Sequence, residues 1–113
     1  MQVHVTFKNI DSKESLKERA TEKSEKFKNF LKSPVNVQFI FQEDKVDSLV
    51  ELVVTGEGQR YVSNVRAGDF YSGIDESVDK VITQLKKHKE KQKNHKGFKK
   101  ASETMTEESE DEE

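Results

Sequence analysis

Between Asp69 and Lys100 the sequence DFYSGIDESVDKVITQLKKHKEKQKNHKGFKK changes character halfway, and the change limits what the chain can become. Up to Leu85, apolar side chains recur at Phe70, Tyr71, Ile74, Val78, Val81, Ile82 and Leu85. Spacings of three and four place them on one side of an α-helix. Asp69 stands where its carboxylate can cap the first turn. Asp75, Glu76 and Asp79 put negative charge early in the helix, where it suits the dipole. Past Leu85 the apolar pattern stops, and Lys86, Lys87, Lys89, Lys91, Lys93, Lys96, Lys99 and Lys100 follow with only Glu90 among them. One end of this helix is built to pack, the other to meet something negative.

The preceding residues supply the surface it packs on. Val3, Val5 and Phe7 alternate with polar residues, which predicts a half-buried strand over residues 2–8. Asp11 and Glu14 have the spacing of a capping box. They open a first helix predicted from about Ser12 to Leu31, with Leu16, Ala20, Phe27, Phe30 and Leu31 as its apolar stripe. Glu14, Glu18, Glu22 and Glu25 lie opposite that stripe, and Arg19, Lys23 and Lys26 run along one border. Lys23 falls inside the apolar arc, where its stem can lie on the core while its ammonium reaches water. Ser33-Pro34 ends the helix. Val35, Val37, Phe39 and Phe41 mark a second strand, and Glu43–Asp47 a polar turn. Ser48–Thr55 is a third strand, with Val50, Leu52 and Val54 on its inner face. Gly56-Glu57-Gly58 is a hairpin connection. Gln59–Ala67 is a fourth strand, with Tyr61, Ser63 and Val65 inward. The fold class is α+β in the order β-α-β-β-β-α, a four-stranded sheet with both helices on one face. The other face is expected to be more solvated, with apolar patches at Ile40, Leu49 and Val53.

Of the 113 residues, 37% are charged and 31% hydrophobic, so the core must be small. Residues 1–95 form one domain in this reading, and residues 96–113 a flexible tail, first basic and then acidic, which cannot bury enough to offset its ordering entropy. The net charge of −2 hides that segregation: residues 101–113 carry seven acids and no base, leaving residues 1–100 at +5. With no cysteine there is no disulfide, thiol nucleophile or thiolate metal site. No apolar run is long enough for a bilayer, and MQVHVTFK lacks the form of a signal peptide. The expected address is cytoplasmic, with no membrane partner.

Catalysis has little support. Histidines stand only at positions 4, 88 and 95, too few for a metal site. There is no glycine-rich phosphate loop and no Ser/His/Asp grouping. No cofactor, metal or small-molecule substrate is expected, and the chain reads as a non-enzymatic monomer. The lysines carry the signal. Lys80, Gln84, Lys87 and Lys91 stack along one flank of the second helix, and Lys86, Lys89 and Lys93 belong to its overhanging end. A C-terminal dipole accounts for one or two lysines, not for eight. If the border of Arg19, Lys23 and Lys26 faces the basic flank of the second helix, the groove between them is positive on both walls. Such a groove follows a phosphate backbone. With few aromatic platforms, it reads shape and phosphate position rather than sequence.

The segment Asp69-Phe70-Tyr71, Ile74-Asp75, Asp79-Lys80, Gln84-Leu85 and Lys87-His88-Lys89 resembles the ribosome hibernation promoting factors, also called ribosome-associated translation inhibitors. Thr21-x-Lys23-x-x-Lys26 resembles the lysine pair of their first helix. The likeness covers about residues 1–95 and departs at Thr83, where some relatives have arginine. It implies the same β-α-β-β-β-α fold. It further implies binding to the small ribosomal subunit and its ribosomal RNA, in the channel of messenger and transfer RNA, during stationary phase or stress. The RNA-binding residues it implies are Lys23, Lys26, Lys80, Lys87 and Lys89, with Lys86, Lys91 and Lys93 beside them. The short acidic tail resembles that of members associated with inactive single ribosomes.

Two other readings compete. A double-stranded RNA-binding domain shares the α-β-β-β-α order, but its lysines cluster at the start of the last helix, which here is acidic. A protein-interaction module would use the acidic tail to hold a basic partner.

Overall fold

A computed structural model describes the backbone of residues 1–94 and the side chains through Glu90. The flexible tail expected over residues 96–113 lies outside the described residues. The elements follow the expected order: β1 (Gln2–Phe7), α1 (Glu14–Ser24), a 3-10 turn (Glu25–Asn29), β2 (Val35–Asp44), β3 (Asp47–Gly56), β4 (Gln59–Ala67) and α2 (Phe70–Asn94). The strands lie in the sheet order β1-β2-β3-β4. β1 pairs parallel to β2, with Val5 opposite Phe39, and α1 is the crossover between them. β2, β3 and β4 are antiparallel neighbours. Phe39, Leu52 and Ser63 lie in one cross-strand row on the inner face.

Both helices cover that inner face. Leu16, Ala20, Phe27 and Leu31 from the first helical segment meet Ile74, Val78, Val81 and Leu85 from α2 over Val37, Phe39, Phe41, Val50, Leu52 and Val54. Phe41 anchors one end, stacked near Phe7 and met edge-on by Phe70. Gly73 explains how closely α2 approaches β3: a Cβ there would come within 2.6 Å of Val50 Cγ2. Among the described residues no helix covers the outer face, and Ile40, Leu49 and Val53 are half-buried on it, as the alternation predicts.

Several local expectations are corrected. α1 begins at Glu14, and no side chain caps it. Asp11 is therefore too far upstream for the capping box, and the backbone N–H groups of Leu16 and Lys17 donate to the Lys13 carbonyl instead. The regular helix stops at Ser24, whose buried hydroxyl donates to the Ala20 carbonyl at 2.7 Å. The chain then tightens into the 3-10 turn that seats Phe27 in the core. The polar turn predicted at Glu43–Asp47 shrinks to Lys45 and Val46, because β2 and β3 pair out to Asp44 and Asp47.

Candidate nucleic-acid interface

α2 is capped as its sequence predicts. The Ser72 N–H donates to Asp69 Oδ1 at 2.8 Å and the Ser72 hydroxyl to Oδ2 at 3.1 Å. These bonds hold the Asp69 carboxyl below its ordinary pKa. The early acids act differently from expectation, since the first turn of α2 contains none. Asp75 reaches across to α1. Arg19 grips it with two bonds, Nε to Oδ1 at 3.2 Å and Nη2 to Oδ2 at 2.8 Å, and Lys23 Nζ stands 3.8 Å from Oδ1. Arg19 therefore lowers the Asp75 pKa against the opposing effect of partial burial. One turn earlier, the Ser15 and Tyr71 hydroxyls are hydrogen-bonded. From Ser15 to Arg19 and from Tyr71 to Asp75 is one turn on each helix, so α1 and α2 run side by side in the same direction.

That contact decides which lysines share the groove. Gln84 donates from Nε2 to the Val62 carbonyl of β4 at 2.8 Å. Nine residues separate Gln84 from Asp75, about half a turn in angle, so the two lie on opposite flanks of α2. The flank of Lys80, Gln84 and Lys87, expected with Lys91 to face α1, instead runs along β4. Lys80 there lies 3.8 Å from Glu76, and Lys87 is exposed. Lys86, eleven residues after Asp75, returns to within about 20° of it and stands on the α1 flank. The groove is thus walled by Arg19, Lys23 and Lys26 on one side and by Asp75 and Lys86 on the other. Lys23 is half-buried at its stem, as its place in the apolar arc predicts, while Lys26 and Lys86 are exposed.

Lys89 takes a third direction, toward the end of the sheet, where its Nζ lies 3.0 Å from Glu57 Oε1 in the β3–β4 turn. Glu57 Oε2 also accepts the Lys32 N–H at 2.7 Å, and the two bonds, led by the one from Lys32, lower its pKa. His88 sits edge-on to Tyr61, whose hydroxyl is buried without a partner among the described residues. Burial raises the Tyr61 pKa. The side chains of Lys91 and Lys93 lie outside the described residues. Among the described residues no group of acids and histidines could hold a metal ion, and no helix is long and apolar enough to cross a membrane.

Residues 3–93 match the family model described as Sigma 54 modulation protein / S30EA ribosomal protein. The chain belongs to that family. The ribosome hibernation promoting factor of Pseudomonas putida is 34% identical to this member over 92 residues, 81% of this chain and 90% of the relative. The factor of that name from Escherichia coli K12 is 30% identical over 95 residues, 84% of this chain and all of the relative. Among solved structures, the N-terminal domain of Thermus thermophilus Protein Y superposes with a TM-score of 0.72 at 17% identity, covering 78% of this chain and 99% of that one. A ribosomal subunit interface protein from Coxiella burnetii gives 0.68 at 24% identity, covering 79% and 98%. These two structures support the fold of the S30EA member described here.

Proposed function

We propose that this protein is a ribosome hibernation factor, which inhibits translation by occupying the messenger and transfer RNA channel of the small ribosomal subunit. The observation that carries the reading is the groove between α1 and α2, with Arg19 and Lys23 against Asp75, Lys26 exposed beyond them and Lys86 on the flank of α2 turned toward α1. Ribosomal RNA phosphates replace Asp75 as the partner of Arg19 and Lys23, and bind Lys26 and Lys86 directly. Lys80 and Lys87 form a second contact line on the β4 side. Lys89, Lys91 and Lys93 extend the positive surface along the end of α2. Affinity arises from neutralised phosphates and released counterions, with register set by the backbone rather than by bases. The protein acts as a cytoplasmic monomer, by occupancy and without a chemical step.

Co-sedimentation with isolated small subunits at two salt concentrations tests this. Affinity falls steeply as salt rises, and translation is inhibited in stoichiometric proportion to ribosomes. Binding indifferent to salt would refute the phosphate mechanism. Inhibition at a small fraction of the ribosome concentration would point to catalysis instead.

A further inference from the structure

Where the chain passes from the 3-10 turn into β2, a cleft of about 730 Å³ lies between residues 28–35, Glu57 and Lys89 of α2. Phe30, Leu31 and Val35 give it an apolar floor, and Lys28, Lys32 and Lys89 stand around it. Such a volume lies within the roughly 300–1,000 Å³ of small-ligand sites. Among the described residues Glu57 is the only acid lining it, and both its carboxylate oxygens are already engaged, by the Lys32 N–H and by Lys89.

Glu57 itself argues that the cleft is built. It has φ of 50° and Gly58 has φ of 75°. Left-handed backbone at both centre positions of a two-residue hairpin favours Asn-Gly or Gly-Gly. A glutamate is strained there, and a plain turn gains nothing from it. What Glu57 supplies is a side chain long enough to tie the β3–β4 turn to the residue after Leu31 and to hold Lys89 at the edge of the cleft. Asn9 and Lys45 share this left-handed backbone with φ of 60°; Glu57 is set apart by a carboxylate that ties Lys89 and the Lys32 N–H into one charged recess.

We propose that this cleft is a nucleotide-base subsite, receiving one unpaired base of an RNA strand whose phosphates follow the α1–α2 groove. It rests on the groove reading above and deepens it. The base lies on Phe30 and the aliphatic floor, and the flanking phosphates meet Lys28, Lys32 and Lys89. An apolar floor ringed by cations suits a flat base with an anion on each side. The spacing brings the strand within reach: Lys86, on the α1 flank, precedes Lys89 of the cleft by less than one turn of α2.

The test is a nuclear magnetic resonance titration of the full chain at low salt. The two probes are a uridine hexaribonucleotide and an abasic ribose-phosphate hexamer of the same charge. Both are expected to shift the amides of Lys23 and Lys26, while only the uridine hexamer shifts the Phe30 ring and Leu31. Phe30→Leu, which keeps an apolar side chain of similar bulk, should weaken the uridine hexamer by roughly tenfold, the order of one base–aromatic stack, and leave the abasic hexamer unchanged. Glu57→Asn, which suits the turn, should keep the hairpin resonances while reducing the preference for the base-bearing strand. If both hexamers shift the groove and neither moves Phe30, the subsite is refuted and the groove stands. If neither hexamer shifts any residue, the groove reading falls and the subsite falls with it.

Discussion

The two flanks of α2 carry similar residues and do different work. On one, Asp75 and Lys86 look toward α1, and the acid is gripped by Arg19. On the other, Lys80 and Lys87 look past β4, and Gln84 is spent on a backbone carbonyl that the edge strand leaves open. Charge density along the helix is therefore a poor guide to where a polyanion is held. A groove needs two walls, and only the flank against α1 has a second helix opposite it. The lysines beside β4 border a sheet edge, where phosphates can be approached from one side only.

Removing what holds the two flanks together gives the largest effect. Ile74 is fully buried between the helices and the sheet, so Ile74→Ala should cost about 2–5 kcal/mol in urea unfolding. Ribosome binding through both flanks should weaken together. Unaltered stability would show that α2 is not seated as described.

Charge reversal then separates the flanks. Lys23→Glu with Lys26→Glu should weaken small-subunit binding by about a hundredfold or more, from two lost charge-assisted contacts of at least about 1.5 kcal/mol each. Lys80→Glu with Lys87→Glu should weaken it by roughly tenfold, as expected where contacts come from one wall. Both pairs should melt near the parent protein, since Lys26, Lys80 and Lys87 are exposed and the Lys23–Asp75 approach of 3.8 Å is partly open to solvent. Equal losses in the two pairs would merge the flanks into one undivided surface.

Gln84→Ala isolates the structural role of the β4 side. It leaves the Val62 carbonyl without its side-chain donor and should lower stability by about 1 kcal/mol, with ribosome affinity unchanged. A drop in affinity at constant stability would make Gln84 a contact.

The smallest effect concerns Asp75. Its folded pKa is lowered, chiefly by the bonds from Arg19. Its contribution to stability is therefore complete above the ordinary carboxylate value of about 4 and disappears as pH falls through the folded value. The melting difference between the parent and Asp75→Asn should be small at pH 7, because the pair is partly exposed, and should vanish in acid. The variant also removes the acid that holds Arg19 and Lys23 in the groove. Its binding should then depend more steeply on salt, as Arg19 and Lys23 become fully available to phosphate. A difference that persists unchanged into strong acid would mean that the carboxylate charge is not what joins the helices.

Period and punctuation were enough for the element order. Alternation of two marked β1 to β4, spacings of three and four marked the helices, and Asp69 announced the start of α2. These signals are local, because a strand or helix exposes its faces by a repeat written in neighbouring residues. The buried sides of both helices were legible for the same reason, including the stem of Lys23, except at Tyr71, which was expected in the apolar stripe and is 41% exposed, its hydroxyl bonded to Ser15. The capping box at Asp11 and the unbroken helix to Leu31 were plausible locally and lost to packing: α1 starts later and tightens after Ser24, where Phe27 enters the core. Gly73, a poor helix residue by propensity, makes sense only with Val50 beneath it. The same limit applied to the interface. Lysines written along α2 gave that helix its basic character, but a helix presents all its flanks to solvent until neighbours take them. Which flank met α1, which met β4, and where Lys89 turned were settled by Arg19, the Val62 carbonyl and Glu57. Arg19 lies 56 residues from its partner, Val62 lies 22 and Glu57 lies 32. No repeat within α2 encodes such distant partners, so the basic character belonged to the sequence and the groove to the tertiary fold.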